Sequence, residues 1–178
     1  MKNYLKSIAL LFVATLTLVS CINSEKENKQ VTKEKPIDIS IEKEAVKGVM
    51  KKYKDAIQGL TTEGTLDLFT KDAMVFESGG VEGTFSNYLE HHLGPELHHF
   101  NSFIFSNYKA DVSVEIPFAF VTETYIYTID IKENKKRKIP ARIIKKKGVA
   151  TSVLKKIDGN WKIIKTHSSS RNIRKKTH

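Results

Sequence analysis

An α+β domain, with helices first and a strongly curved, mostly antiparallel sheet after them, is the architecture this sequence predicts, and three observations predict it. Apolar residues Val46, Val49, Met50, Tyr53, Ile57 and Leu60 recur at helical spacing. After Phe100 the composition turns to long runs rich in β-branched and aromatic residues, the side chains that fit a pleated surface. Short polar stretches, Glu133-Asn134-Lys135-Lys136 and Asp158-Gly159-Asn160, punctuate those runs as hairpin turns, so strands adjacent in sequence are expected to pair antiparallel.

The N-terminus is set apart from this domain. Lys2 and Lys6 lead into an apolar run of 12 residues, 8–19. That is short of the ~20 apolar residues a membrane-spanning helix needs and has the shape of an export signal, expected over 1–20. Leu18-Val19-Ser20-Cys21 closes the run and resembles the lipobox of bacterial lipoproteins. The resemblance implies cleavage before Cys21 and a lipid on its sulfur, hence an extracytoplasmic protein anchored to a bacterial membrane, periplasmic or at the cell surface. Cys21 is the single cysteine, which excludes an internal disulfide. Residues 22–36 contain only Ile22 and Val31 as aliphatics, too few to offset the entropy of ordering, so 21–39 is expected to be a solvated tether. Fully extended, its polar stretch reaches about 50 Å.

The folded domain is expected over 40–172, the size of one hydrophobic core. Ser40 is a plausible N-cap, with Glu42 and Glu44 in the first turn of a helix of about five turns. Gly59, Thr61, Thr62 and Gly64 break that helix, and Leu66, Leu68 and Phe69 make a short second segment. Residues 73–78 read as a strand, Gly79-Gly80 as a turn and 81–85 as a short return strand or loop. Residues 86–93 are helical in composition. Gly94 is then a natural stop and Pro95 a natural first residue of a new turn, placing His91-His92 and His98-His99 on two separate pieces. Four strands follow, over 103–116, 118–131, 148–157 and 161–170.

The chain carries a formal charge of +10, with nine Lys or Arg among the sixteen residues 132–147 and a basic tail over 173–178. An exported protein rarely meets nucleic acid, so no nucleic-acid partner is expected. An anionic lipid or wall surface is the fitting counterpart, and a solvated hairpin the simpler reading. There is no internal repeat and no Gly-rich phosphate loop, and no cofactor is read from the sequence.

The stretches "YKDAIQGL", "LDLFTKDAMVFESGG" and "LKKIDGNWKIIKTHSSSR", in this order of elements, make the chain similar to the nuclear transport factor 2-like superfamily, which includes ketosteroid isomerase and the SnoaL-like cyclases. The resemblance covers 44–171. It implies a cone of helices over a curved sheet, a pocket whose mouth lies between them, and a possible homodimer through paired sheets. The carboxylate base and oxyanion pair of ketosteroid isomerase find no residue-by-residue match here, so that activity does not carry over.

Candidate chemistry centres on the histidines, six in all. Neighbouring helical residues project about 100° apart, so His91 and His92 cannot face the same way. His91 and His98 would lie about 10.5 Å apart along a continuous axis, too far for one zinc ion with ligands at about 2.1 Å. The i,i+4 spacing offers His92 with Glu96, but Pro95 disturbs it. His98 and His99 are expected at the surface.

Alternation puts His167 in phase with Trp161 and Ile163 on the last strand, and places Glu123, Tyr125 and Tyr127 on the face of Ala119, Val121 and Ile129. Glu77 ends the first strand. Glu77 and His167 are therefore the candidate catalytic pair. Candidate ligand-binding residues are His91, His92, Glu123, Tyr125, Tyr127 and Arg171, and candidate metal ligands Glu77, His91, His92 and His167. "HSSSR" lacks the glycines of a serine-hydrolase elbow. The leading expectation is a pocket for a small-molecule ligand; the alternatives are an acid-base enzyme of isomerase or dehydratase type using a His/Glu pair, and a zinc or copper binder.

Overall fold

The computed structural model describes residues 37–174. The export signal, Cys21, residues 21–36 of the expected tether and the last four residues of the basic tail lie outside them. Helix α1, Ile39–Gln58, begins two residues earlier than expected. Its N-cap is Asp38, not Ser40: the Asp38 carboxylate accepts both the Ser40 backbone N–H at 2.9 Å and the Ser40 hydroxyl at 2.6 Å. A carboxylate satisfies the orphan donor and also meets the positive end of the helix dipole, so it outcompetes the hydroxyl beside it.

Val46 and Met50 are the buried centre of the helix's apolar stripe, with Val49, Tyr53 and Ile57 beside them. Glu42 holds its first turn down, accepting Trp161 Nε1 at 2.8 Å and Lys156 Nζ at 2.5 Å. The helix ends in a Schellman arrangement, Thr61 N–H to Ala56 O and Leu60 N–H to Ile57 O. Leu60 takes the left-handed conformation there, φ 53°.

A single 3₁₀ turn, Leu66–Leu68, leads into strand β1, Phe69–Glu77, which turns through Ser78-Gly79 into β2, Gly80–Thr84. Thr84 caps α2, Phe85–Tyr88, by accepting Asn87 N–H at 3.3 Å. The chain then makes one π-helical turn, Leu89–Leu93, and passes directly into α3, Gly94–Leu97. Gly94 does not stop the helix. It is right-handed helical, φ −58° and ψ −54°, and a Cβ on it would lie 2.6 Å from the Leu89 carbonyl oxygen. Glycine at 94 thus serves the close approach that the wide turn creates, and His91-His92 ride on a helical path that runs on to Leu97, with His98-His99 in the turn that follows.

Four long strands follow: β3, Phe100–Glu115; β4, Phe118–Ile131; β5, Arg142–Ile157; and β6, Asn160–Asn172. Together with the first two they form one six-stranded sheet in the order β2-β1-β6-β5-β4-β3, antiparallel except for the β1/β6 pair. β5 starts six residues before the expected strand, so Arg142 to Lys147 are paired with β4; only 132–141 is loop, closed by an Asn134/Ile139 bridge. The sheet is curved and unclosed, with the helices on its concave side.

Phe85, Met50, Leu154 and Ile163 are the largest fully buried apolar side chains. Each contributes about 1.5–3 kcal/mol by leaving water. Their packing closes one part of the cone, leaving room farther along β4.

Candidate functional site: a polar-floored cavity in the cone

A cavity of about 370 Å³ lies between α1, the helical segment and the concave face of the sheet. Its floor follows from register. Glu123 on β4 is the cross-strand partner of Ala150 on β5, Ala150 of Ser168 on β6, and Ser168 of Glu77 on β1. The four side chains therefore share one row on one face, with the two carboxylates three strand spacings of about 4.8 Å apart before curvature draws them closer. Val121 and Ile129 flank this row as core, so Glu123 interrupts an otherwise apolar strand face.

Glu123 is 7 % exposed, and the Tyr108 hydroxyl donates to it. Burial pushes the Glu123 carboxyl above its ordinary range, against the downward pull of the Tyr108 hydrogen bond and the Lys54 charge. Burial and the neighbouring carboxylate likewise push Tyr108 well above the usual phenol value. Lys54 Nζ sits 5.5 Å from the Tyr108 ring centroid.

Tyr108 faces inward because of a bulge. Asn107, at φ 52°, and Tyr108 together oppose Tyr125, so the alternation that brings Phe103 and Phe105 inside changes phase and brings Tyr108 inside as well. Aromatic rings form one wall: Phe103 lies 5.6 Å from Tyr127, and Phe105 5.0 Å from Tyr125, edge to face. The Tyr127 hydroxyl donates to Ser170 Oγ at 2.9 Å. Hydroxyls form the other wall, Thr166, Ser168 and Ser170 pointing inward at alternate positions of β6. Exposed lining residues Ser78, Glu96, Arg142 and Ser169 mark the rim.

Behind the rim stands His92. Its Nδ1 is 3.0 Å from Glu82 Oε2, and its Nε2 is 3.4 Å from Glu96 Oε1 and 4.0 Å from Glu77 Oε2. The Tyr88 hydroxyl donates to Glu77 Oε2 at 3.0 Å and its ring centroid lies 5.0 Å from the imidazole. Pro95 does not disturb the His92/Glu96 spacing: it stands in the first turn of α3, where its fixed φ suits the helical backbone, and the i,i+4 pair keeps its contact. Burial pulls the His92 pKa down, but the Glu82 hydrogen bond and the charges of Glu96, Glu77 and Glu82 outweigh it and the net shift is upward. Glu96, about half exposed at the rim, is raised as well, chiefly by the part of its hydration it loses there, with His92 acting against it.

These directions set a pH dependence. His92 takes up its proton more readily folded than unfolded, so its contribution to stability is complete below the unfolded value of about 6.5 and is lost as pH rises through the folded value. The raised carboxyls Glu96 and Glu123 act in the same sense from about pH 4.3 upward. Urea midpoints are expected to fall from mildly acidic to mildly alkaline pH, and His92→Gln to flatten the upper part of that fall. A midpoint that rises over this range contradicts the assignment.

Several sequence-based candidates stand elsewhere. His167 is exposed on the convex face, opposite Thr151, and is not in phase with Trp161 and Ile163. The reason is a bulge at Ile164: Leu154 pairs with Ile163 and Val153 with Lys165, so one extra residue inverts the alternation from Lys165 onward. Glu77 and His167 therefore point to opposite faces and form no pair. Arg171 is exposed on the convex face too, and Arg142 occupies the rim instead. His91 is exposed, 3.9 Å from Glu90, and His98 and His99 are exposed. Among the described residues no group of three or more His, Cys, Asp or Glu side chains is disposed to hold a metal ion.

Glu77, Glu123, Tyr125 and Tyr127 do line the cavity. Tyr53, Lys54, Tyr88, Glu82 and Arg142 are additions that the sequence did not mark as site residues; Tyr108 is a further one, which only the left-handed tolerance of Asn107 could have hinted at.

No family model matches the chain, and no curated protein does. Solved structures do. A nuclear transport factor 2-like superfamily protein from Salmonella enterica matches at 18% identity and TM-score 0.62, over 79% of this chain and 96% of that one. A protein named as a candidate dehydratase of the same family from Streptomyces avermitilis matches at 16% identity and TM-score 0.62, over 74% and 97%. A ketosteroid isomerase-like protein from Erwinia carotovora atroseptica matches at 15% identity and TM-score 0.60, over 74% and 98%. The chain has the nuclear transport factor 2-like fold.

Proposed function

We propose that this domain binds a small, mainly apolar organic molecule in the cone cavity, with the domain held outside the cytoplasm by a lipid on Cys21. One observation carries the binding reading: an unfilled cavity of about 370 Å³, within the size range of small-molecule sites, walled by aromatics and floored by the Tyr108-Glu123 pair. A protein selecting only for stability fills such a space, since an empty methyl-sized void costs about 1 kcal/mol. The polar groups supply orientation. Glu123 accepts the Tyr108 hydroxyl, its raised pKa brings its protonated, donating form closer than in an exposed carboxyl, and the β6 hydroxyls can donate or accept. A one-to-one adduct in native mass spectrometry, together with a raised thermal midpoint in a compound screen, is the expected result; a diverse screen that leaves the midpoint unmoved counts against binding. For the anchor, Cys21→Ser is expected to release the protein from the membrane fraction.

A second reading is acid-base turnover of the bound molecule. What favours it is Glu77, a carboxylate in the cavity wall backed by Tyr88 and by a His92 whose protonation is favoured. It replaces the Glu77/His167 pair. Two structural neighbours carry dehydratase or ketosteroid isomerase names, which fits turnover without naming a substrate.

A further inference from the structure

Charge is divided along this chain. Residues 37–131 hold 7 basic and 15 acidic side chains, whereas residues 132–174 hold 15 basic and 2 acidic. The second segment is the loop before β5 together with β5 and β6, which are neighbours in the sheet. Positive charge is therefore gathered on one part of the surface, a pattern that points to an anionic partner.

Register sharpens the picture. Lys145 and Lys147 project from the convex face of β5, and Arg171 on β6 is the direct cross-strand partner of Lys147. Like charges placed opposite each other destabilise a sheet. Among the described residues none of the three is in an ion pair. The fold thus keeps an unfavourable arrangement that an external anion would relieve. The loop extends the strip with exposed Lys135, Lys136, Arg137 and Lys138, its turn held by the Asn134 side chain accepting Arg137 N–H at 3.0 Å.

The same face carries aliphatic side chains. Ile143 is 72 % exposed one pleat from Lys145, and Ile104, 54 % exposed, lies across Thr128 from Lys145. The exposed aromatics of β4, Phe118 and Phe120, are at the far end of that strand. Lysines around exposed isoleucines suit a phosphate headgroup layer with an acyl boundary beneath it. Nucleic acid would favour arginine forks and aromatic platforms for the bases.

We propose that the loop 132–141 and the convex face of β5 and β6 dock on anionic phospholipid headgroups, leaving the cavity on the opposite, concave face open to solvent. This does not depend on what the cavity holds. The test uses residues 37–178, which contain the whole core, with sedimenting vesicles of phosphatidylglycerol and phosphatidylcholine against phosphatidylcholine alone. Binding is expected only to the anionic vesicles, falling about fivefold for each lysine removed, so that Lys145→Gln with Lys147→Gln costs about 25-fold. The double change Lys52→Gln with Lys71→Gln, equal in net charge, is expected to leave binding in place. Lys147→Gln alone is also expected to raise the thermal midpoint, by removing the opposed charge. Equal binding to neutral vesicles, equal loss in the control pair, or tighter binding to a single-stranded oligonucleotide than to anionic vesicles at the same salt overturns the proposal.

Discussion

Phe85→Ala is expected to lower folding stability by about 3–5 kcal/mol. Phe85 is 1 % exposed and opens α2, so its ring is where the helical segment meets the main core. It stacks on Phe69 at the start of β1 and meets Tyr53 of α1 edge to face at 5.8 Å. Three elements therefore converge on one side chain, and none can move into the vacated volume without leaving its own partners. Phe85→Leu retains most of the volume and is expected to cost under about 1.5 kcal/mol. Urea unfolding of both variants measures this. If the alanine variant costs no more than a surface substitution, the helical segment is not anchored there.

Gly148→Ala is the second large effect, and it links packing to the cavity. A Cβ built on Gly148 would stand 2.2 Å from Cε2 of Tyr125, because that ring lies flat across the β5 backbone. The ring cannot stay where it is. Strain of this kind costs about 1–3 kcal/mol. The displaced ring must also alter the wall it shares with Phe105 and Tyr127, so ligand affinity is expected to drop along with stability. Gly148→Ala with Tyr125→Ala should relieve the clash, making the pair of substitutions non-additive in unfolding experiments. Strict additivity contradicts the proposed overlap.

Much of this site was legible in the sequence wherever one rule held without interruption. On β4 the alternation runs unbroken, so placing Glu123, Tyr125 and Tyr127 on the face of Val121 and Ile129 needed only a period of two. The apolar stripe of α1 was readable for the same reason at a period of 3.6. Legibility failed at single inserted residues. Ile164 turned His167 to the outside, and Asn107 turned Tyr108 to the inside, and neither residue advertises a bulge in the way a glycine often does.

The histidine-rich stretch 88–100 shows a third kind of failure. Gly94 and Pro95 have the composition of a break, yet the wide turn before them uses glycine for backbone clearance and proline for its fixed φ. With the path continuous, His92 reaches Glu96 and also Glu82 and Glu77, partners ten and fifteen residues away that only the β1-β2 hairpin brings near. Local pattern carries no information about such contacts.

Ala150→Leu offers the most direct test of the cavity as a binding site. Ala150 lies in the floor between Glu123 and Ser168, so a leucine there fills the space without removing any polar group. Titrating the best compound from the screen into the wild-type and Ala150→Leu domains by calorimetry, with cooperative unfolding confirmed for both, should show binding to the first and none to the second. Equal affinity in a folded Ala150→Leu domain would mean that the ligand sits elsewhere.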